Sequence, residues 1–163
     1  MYKAFKPLNY FGNRGTSGID GCVSTAVGAA IASGKLTTLI VGDMAFFYDS
    51  NGLWHHQVPA NLRIIVINNG GGGIFRIIDG PSEVPELEKY FETRHQFTAI
   101  NIAATFGLDY SSCSSIDDLE EQLPLFFGES VKAGVLEIFT PFDENADVLS
   151  SYFKFISERS LKS

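Results

Sequence analysis

Positive charge is scarce in this chain: twelve Lys and Arg stand against nineteen Asp and Glu, a formal net charge of -7, with no basic run longer than a pair. No nucleic-acid surface is expected from that balance. Cysteine is scarcer still. Cys22 and Cys113 form neither a disulfide framework nor a close-spaced metal pair, and both are expected as reduced thiols, Cys22 on a helix and Cys113 in a Ser-rich turn. Long apolar runs are missing, none approaching the ~20 residues a bilayer requires, so no membrane span is expected. The opening Met1-Tyr2-Lys3-Ala4-Phe5-Lys6-Pro7 has no signal-peptide h-region, and a cytoplasmic location is the expectation. Histidine is nearly as sparse. His55 and His56 are adjacent and would diverge by about a third of a turn on a helix, while His95 lies far along the chain, so no zinc site is expected. No Ser-His-Asp or Cys-His nucleophile system can be assembled from the residues alone.

What is present suits one domain. The chain has 163 residues, 45% hydrophobic, enough to bury a continuous core and too few for a second full domain. Ser17 to Asp20 has capping-box spacing, and Val23, Ala26, Val27, Ala30 and Ile31 then recur at helical intervals before Gly34. Thr37 to Val41 and Leu62 to Ile67 are β-branched apolar runs without alternation, the pattern of strands covered on both faces in a parallel sheet. Between them a short helix is expected from Asn51 to His56, ended by Pro59. Further on, Ala99 to Phe106 reads as a helix and Leu108 to Tyr110 as a short strand. Ile116 to Phe127 reads as a helix with Leu119, Leu123 and Phe126 inward, Gly134 to Phe139 as the last strand, and Asp143 to Ile156 as a closing helix. The alternation predicts an α/β fold, three-layer α/β/α with a mostly parallel sheet. Glu83 to Glu92, acidic and interrupted by Pro85, is expected as a surface excursion.

Two strands end in residues suited to one kind of chemistry. In an open parallel sheet ligands bind beyond the C-terminal strand ends, where Gly42-Asp43 and Asn68-Asn69 stand. Asp43 offers a hard anionic oxygen, Asn69 a neutral amide oxygen, and the following glycines leave backbone carbonyls free to turn inward. Such donors suit magnesium rather than zinc, and magnesium shares its coordination sphere with phosphates and water. At Gly70 to Gly73 the absent Cβ lets backbone approach a ligand. Taken singly, Asp43 or Asn69 would be read as a helix cap or turn former.

Together these residues resemble the thiamine diphosphate signature, in which a Gly-Asp at one strand end and an Asn-Asn at the next anchor magnesium and diphosphate. The resemblance implies thiamine diphosphate and Mg2+, or Mn2+ in its place, as cofactors. It implies Asp43, Asn69 and the Gly71 carbonyl as metal ligands, with Gly42 and the amides of Met44 and Ala45 facing the diphosphate. Met44 stands where that signature usually has glycine, and Ala45 lacks the hydroxyl some relatives place there.

The stretch Asn13-Arg14-Gly15-Thr16-Ser17-Gly18-Ile19-Asp20-Gly21, with Cys22 to Ala26 after it, is more specific. It is similar to the 2-succinyl-5-enolpyruvyl-6-hydroxy-3-cyclohexene-1-carboxylate synthase family of menaquinone biosynthesis, and Asn51-Gly52-Leu53 and Gly72-Gly73-Ile74-Phe75 agree with it. The resemblance implies that residues 1–163 are the C-terminal diphosphate-binding domain of a three-domain enzyme. Such an enzyme decarboxylates 2-oxoglutarate and adds the resulting carbanion equivalent to isochorismate. It implies a homodimer or higher homo-oligomer, partnered by the N-terminal and middle domains. Alone the domain is expected to be inactive, because the glutamate that activates the cofactor belongs to the first domain.

By the same resemblance Ile19 is the apolar wedge under the thiazolium, the Gly18 carbonyl lies near the aminopyrimidine, Arg14 binds a substrate carboxylate, and Ile74, Phe75 and Ile78 wall the isochorismate site. The residues alone allow other readings: a hydrophobic staple for Ile19, a solvated loop arginine for Arg14, and a core-facing helix turn for Ile74, Phe75 and Ile78. Two wider alternatives stay open, another thiamine diphosphate-dependent 2-oxoacid decarboxylase and a non-catalytic phosphate-binding module. The GxxGxxG of Gly15, Gly18 and Gly21 lacks the preceding strand of a dinucleotide fingerprint. Fourteen Phe and six Tyr, with the small residues Ala26, Gly28, Ala29, Ala30 and Ala32 on the first helix, lead to an expectation of self-association.

Overall fold

The computed structural model describes residues 8–13, 18–55, 57–73, 90–142 and 144–160. Arg14, Ser17, His56, Ile74, Phe75, Ile78 and Asp143, all singled out in the sequence, lie outside the described residues, as does most of the Glu83 to Glu92 stretch.

Among the described residues four parallel strands form the sheet: β1 (Thr37–Gly42), β2 (Leu62–Asn68), β3 (Asp109–Cys113) and β4 (Gly134–Phe139), in spatial order β1-β2-β4-β3. Helices flank it: α1 (Cys22–Ser33), α2 (Asp43–Tyr48), α3 (Ile100–Thr105), α4 (Ile116–Phe126) and α5 (Asn145–Ser160), with a 3-10 turn over Ser50–Leu53. On one face Leu62, Ile64 and Val66 of β2 and Val135 of β4 pack with Val23, Val27 and Ala30 of α1, Phe46 of α2 and Ala103 of α3. Strand alternation turns Arg63 and Ile65 to the other face, where Arg63 reaches the last turn of α4, its Nε donating to the Phe126 carbonyl at 2.7 Å. The fold is therefore α/β, a parallel sheet between helical layers. Among the described residues no helix is long and apolar enough to cross a membrane.

Several sequence expectations are corrected by the packing. Helix α1 starts at Cys22 behind its N-cap Gly21, whose φ of 79° is left-handed, so Asp20 falls outside the helix and not at the third helical position that a capping box uses. Its cap comes from afar: Asp49, 25 positions on, accepts the Ser24 N–H at 2.7 Å and the Ser24 hydroxyl at 2.8 Å. Val23, Ala26, Val27 and Ala30 are buried as expected, but Ile31 is 49% exposed. Eight residues advance a helix by about 800°, which leaves Ile31 about 80° from Val23, at the margin of the buried stripe. Of the small residues on that helix, Ala26 and Ala30 face the core, while Gly28, Ala29 and Ala32 are exposed.

Strand β2 is covered on both faces, but β1 is not, with Val41 buried and Ile40 69% exposed. Its position at the sheet edge is the reason. Helix α2 directly follows β1 and was not anticipated, because Phe46-Phe47-Tyr48 favours strands locally; only the 3-10 turn represents the helix expected over Asn51 to His56. Strand β3 runs on to Cys113, so this cysteine is strand, not turn, paired opposite Ile138 and buried. Burial, and then the negative charge of Asp118, pushes its thiol above the ordinary range. Leu119, Leu123 and Phe126 of α4 are half-buried. Glu92, placed on a surface excursion by its acidic surroundings, is instead fully buried, and its carbonyl accepts the Gly72 N–H at 2.6 Å.

Candidate functional site at the ends of β1 and β2

Parallel pairing places Gly42 opposite Ile67, so Asp43 and the Asn68-Asn69 pair emerge side by side at the C-terminal sheet edge. Asp43 opens α2 and is 2% exposed. Its Oδ2 accepts the N–H groups of Gly70 and Gly71 at 2.9 and 3.0 Å, and its Oδ1 accepts the N–H of Met44 at 2.8 Å. The carboxylate thus holds the glycine loop directly. The Met44 amide, assigned to the diphosphate by resemblance, is engaged with the carboxylate beside it.

Asn68 and Asn69 divide the work. Asn68 is buried and internally satisfied: its Oδ1 accepts the Gly70 N–H at 3.0 Å, and its Nδ2 donates to the Phe97 carbonyl at 2.9 Å and to Glu137 Oε1 at 2.7 Å. Asn69 is half-buried, and its Nδ2 would lie 2.8 Å from a Cβ added at Gly73. At Gly71 such a Cβ would stand 2.7 Å from the Glu92 carbonyl, closer than real Cβ atoms come to backbone. Glycine is required here by close approach of chain to chain.

Three residues that the sequence reading missed complete the geometry. Glu137, fully buried in β4, accepts from Asn68, from the Tyr110 hydroxyl at 2.6 Å and from the Ala99 N–H at 3.0 Å. Burial first, then the hydrogen bond to Glu137, pushes the Tyr110 phenol up to about 12. His95, set aside in the sequence for its distance from the His55-His56 pair, brings Nε2 to 3.1 Å from Asp43 Oδ2. That contact is within ion-pair distance, yet the N–H is not aligned on the oxygen, so Nε2 is a buried polar atom with no hydrogen-bond partner among the described residues. The third is Asp49, which ties the end of α2 to the start of α1. A signal for Glu137 existed, since a lone carboxylate inside the apolar run GVLEIF needs partners.

Gly18 and Ile19 lie just before α1 and are exposed, Ile19 at 40%. With the N-cap at Gly21, Ile19 sits one position beyond the place a hydrophobic staple uses, and its exposure speaks against that alternative. A cavity of about 190 Å³ lined by Arg63, Asp109, Tyr110 and Gly134 opens at the opposite, N-terminal end of the strands. Arg63 there is occupied by backbone carbonyls of Phe126, Ala60, Leu62 and Gly128, a structural clamp rather than a ligand group.

The chain has relatives among known proteins in sequence and in fold. The chain is 49% identical over 156 residues to the 2-succinyl-5-enolpyruvyl-6-hydroxy-3-cyclohexene-1-carboxylate synthase of Christiangramia forsetii, covering 96% of this chain and 27% of that protein. It is 50% identical over 147 residues to the protein of the same name in Flavobacterium johnsoniae, covering 90% of this chain and 26% of that one. The chain therefore spans about a quarter of the length of the curated relatives it matches. Among solved structures, the thiamine diphosphate-dependent 4-hydroxybenzoylformate decarboxylase of Rhodococcus jostii superposes with a TM-score of 0.59 at 24% identity, over 74% of this chain and 23% of that one, a likeness of fold. Residues 1–138 match the family model "Thiamine pyrophosphate enzyme, C-terminal TPP binding domain", and the chain belongs to that family.

Proposed function

We propose that this chain is the magnesium- and diphosphate-anchoring domain of a 2-succinyl-5-enolpyruvyl-6-hydroxy-3-cyclohexene-1-carboxylate synthase. The whole enzyme, a cytoplasmic homo-oligomer of menaquinone biosynthesis with N-terminal and middle domains, decarboxylates 2-oxoglutarate and joins the remaining fragment to isochorismate. The single observation that carries the reading is the Asp43 carboxylate receiving the Gly70 and Gly71 amides across two strand ends, within a chain of this family.

The donor set fits the metal. Asp43, Asn69 and the Gly71 carbonyl are hard oxygen donors, the type Mg2+ and Mn2+ prefer, and the loop that carries two of them closes so tightly on the Glu92 backbone that Gly71 has no room for a Cβ. Thiamine diphosphate, when bound, supplies the electron sink for decarboxylation of a 2-oxo acid. This chain's part is to hold the diphosphate end through the metal and to orient the rest. Ile19 and Gly18 serve the cofactor's ring end, Arg14 a substrate carboxylate, and Ile74, Phe75 and Ile78 the apolar wall. Lacking the first domain's glutamate, the domain alone has no turnover.

Calorimetry on the full-length protein with thiamine diphosphate, ADP and NAD, each with and without Mg2+, tests the reading. Metal-dependent binding of thiamine diphosphate alone, with turnover of 2-oxoglutarate plus isochorismate, is the expected result. Binding of ADP or NAD in preference would support a phosphate-binding module instead, and turnover of 2-oxo acids without isochorismate would support a decarboxylase.

A further inference from the structure

We propose that His95 is the positioning residue for Asp43, donating Nε2–H to Oδ2 so that Oδ1 is the oxygen presented to the metal. The inference rests on the metal-site reading above and deepens it. Its first support is the tautomer. Nδ1 of His95 accepts the Phe97 backbone N–H at 3.1 Å, so Nδ1 carries no proton and in the neutral ring Nε2 must carry one. A protonated Nε2 cannot ligate a metal; it can only donate. Its side chain is 5% exposed, and the acceptor beside it is Asp43 Oδ2 at 3.1 Å.

The ring has little freedom to turn elsewhere. It stacks on Phe97, with centroids 5.0 Å apart and planes inclined by 13°, and meets the edge of Phe47 at 5.4 Å. The same residue's backbone N–H donates to the Gly70 carbonyl at 3.0 Å, so His95 grips the glycine loop by its main chain and faces the carboxylate by its ring. A buried donor left unpaired has lost its bonds to water and gained none in return. A small adjustment of the ring onto Oδ2 removes that penalty.

The consequence concerns which oxygen is free. Oδ2 already accepts two backbone N–H groups, which match its two lone pairs, and the His95 ring adds a third donor at 3.1 Å to that same oxygen. Among the described residues Oδ1 accepts only the Met44 N–H, which leaves it one lone pair. Partners of this kind orient a ligating carboxylate, and their loss lowers metal affinity by about 10–100-fold.

The test measures Mn2+ affinity by electron paramagnetic resonance, in the full-length protein with thiamine diphosphate, for the parent, Asp43→Ala, His95→Phe and His95→Gln. His95→Phe keeps the stacked ring and deletes the donor; His95→Gln restores a donor without the ring. Expected are a loss on the order of 10–100-fold in His95→Phe and recovery to within about threefold of parent in His95→Gln. Parent-like affinity in His95→Phe, with binding abolished in Asp43→Ala, would overturn the His95 proposal and leave the metal site standing. Equal losses in His95→Phe and His95→Gln would overturn it too, by assigning the effect to ring packing. Parent-like affinity in Asp43→Ala would remove the metal reading itself. Nitrogen chemical shifts of the parent imidazole need no variant: a bare Nδ1 and protonated Nε2 are expected, and the opposite tautomer would overturn the proposal.

Discussion

Glu137 Oε1 receives the Asn68 side-chain amide at 2.7 Å, fully buried, and so couples the third strand of the sheet to the strand end from which the glycine loop departs. The same carboxylate accepts from Ala99 at the entry to α3 and from the Tyr110 hydroxyl, which makes it the common acceptor for three elements.

Replacing Glu137 by Ala is expected to orphan the Ala99 N–H and the Tyr110 hydroxyl and to leave Asn68 with one partner fewer. At about 1–3 kcal/mol per buried unsatisfied group, local stability should fall by about 3 kcal/mol. Hydrogen exchange in the full-length protein reads this directly: the Ala99 amide should exchange roughly a hundredfold faster, and Glu137→Gln should lie between. Unchanged protection at Ala99 would show that the acceptor is dispensable.

Asp49→Ala should remove the distant cap of α1 and cost about 1–2 kcal/mol, seen as a lower thermal midpoint and faster exchange in the first turn of α1. Gly52→Ala should be worse, since its Cβ would fall 2.5 Å from Ser24 Oγ and 2.6 Å from Ser24 N. An Asp49→Asn protein should keep most of the stability, because an amide oxygen can still accept one of the two bonds.

Tyr110 gives a pH signature. Its phenol is raised from 10.0 to about 12 in the folded chain, so the folded state keeps the proton where the unfolded chain has lost it. The stabilisation is complete below pH 10 and disappears as pH rises from 10 through 12. Thermal midpoints should fall across that window and the slope should flatten in Tyr110→Phe. A phenolate absorbance difference between parent and variant that develops near pH 10 would contradict the assignment.

How much of this was legible in the sequence can be argued residue by residue. The placement of Asp43 and Asn69 side by side at the C-terminal sheet edge was legible, because unbroken β-branched runs announce parallel strands and their ends lie where an open sheet binds ligands. The glycines after Asn69 were legible as close-approach positions, though not what they approach: the backbone of Glu92 lies beyond a stretch whose charge suggested solvent. Glu137, His95 and Asp49 were not legible as site residues. Their roles rest on contacts such as the 69-residue span between Asn68 and Glu137, and no local pattern encodes such a pairing. The start of α1 was misplaced for the same reason, since its cap is borrowed across 25 residues instead of supplied by a neighbour.

The central claim is that Asp43 holds a divalent metal through which the diphosphate is anchored. Calorimetric titration of thiamine diphosphate into the full-length protein, with and without Mg2+, comparing parent with Asp43→Ala, tests it most directly. Asp43 is the one anionic donor in the set, so its removal should abolish the magnesium-dependent part of the affinity while the protein stays folded. Magnesium-dependent binding in Asp43→Ala as tight as in the parent would contradict the account.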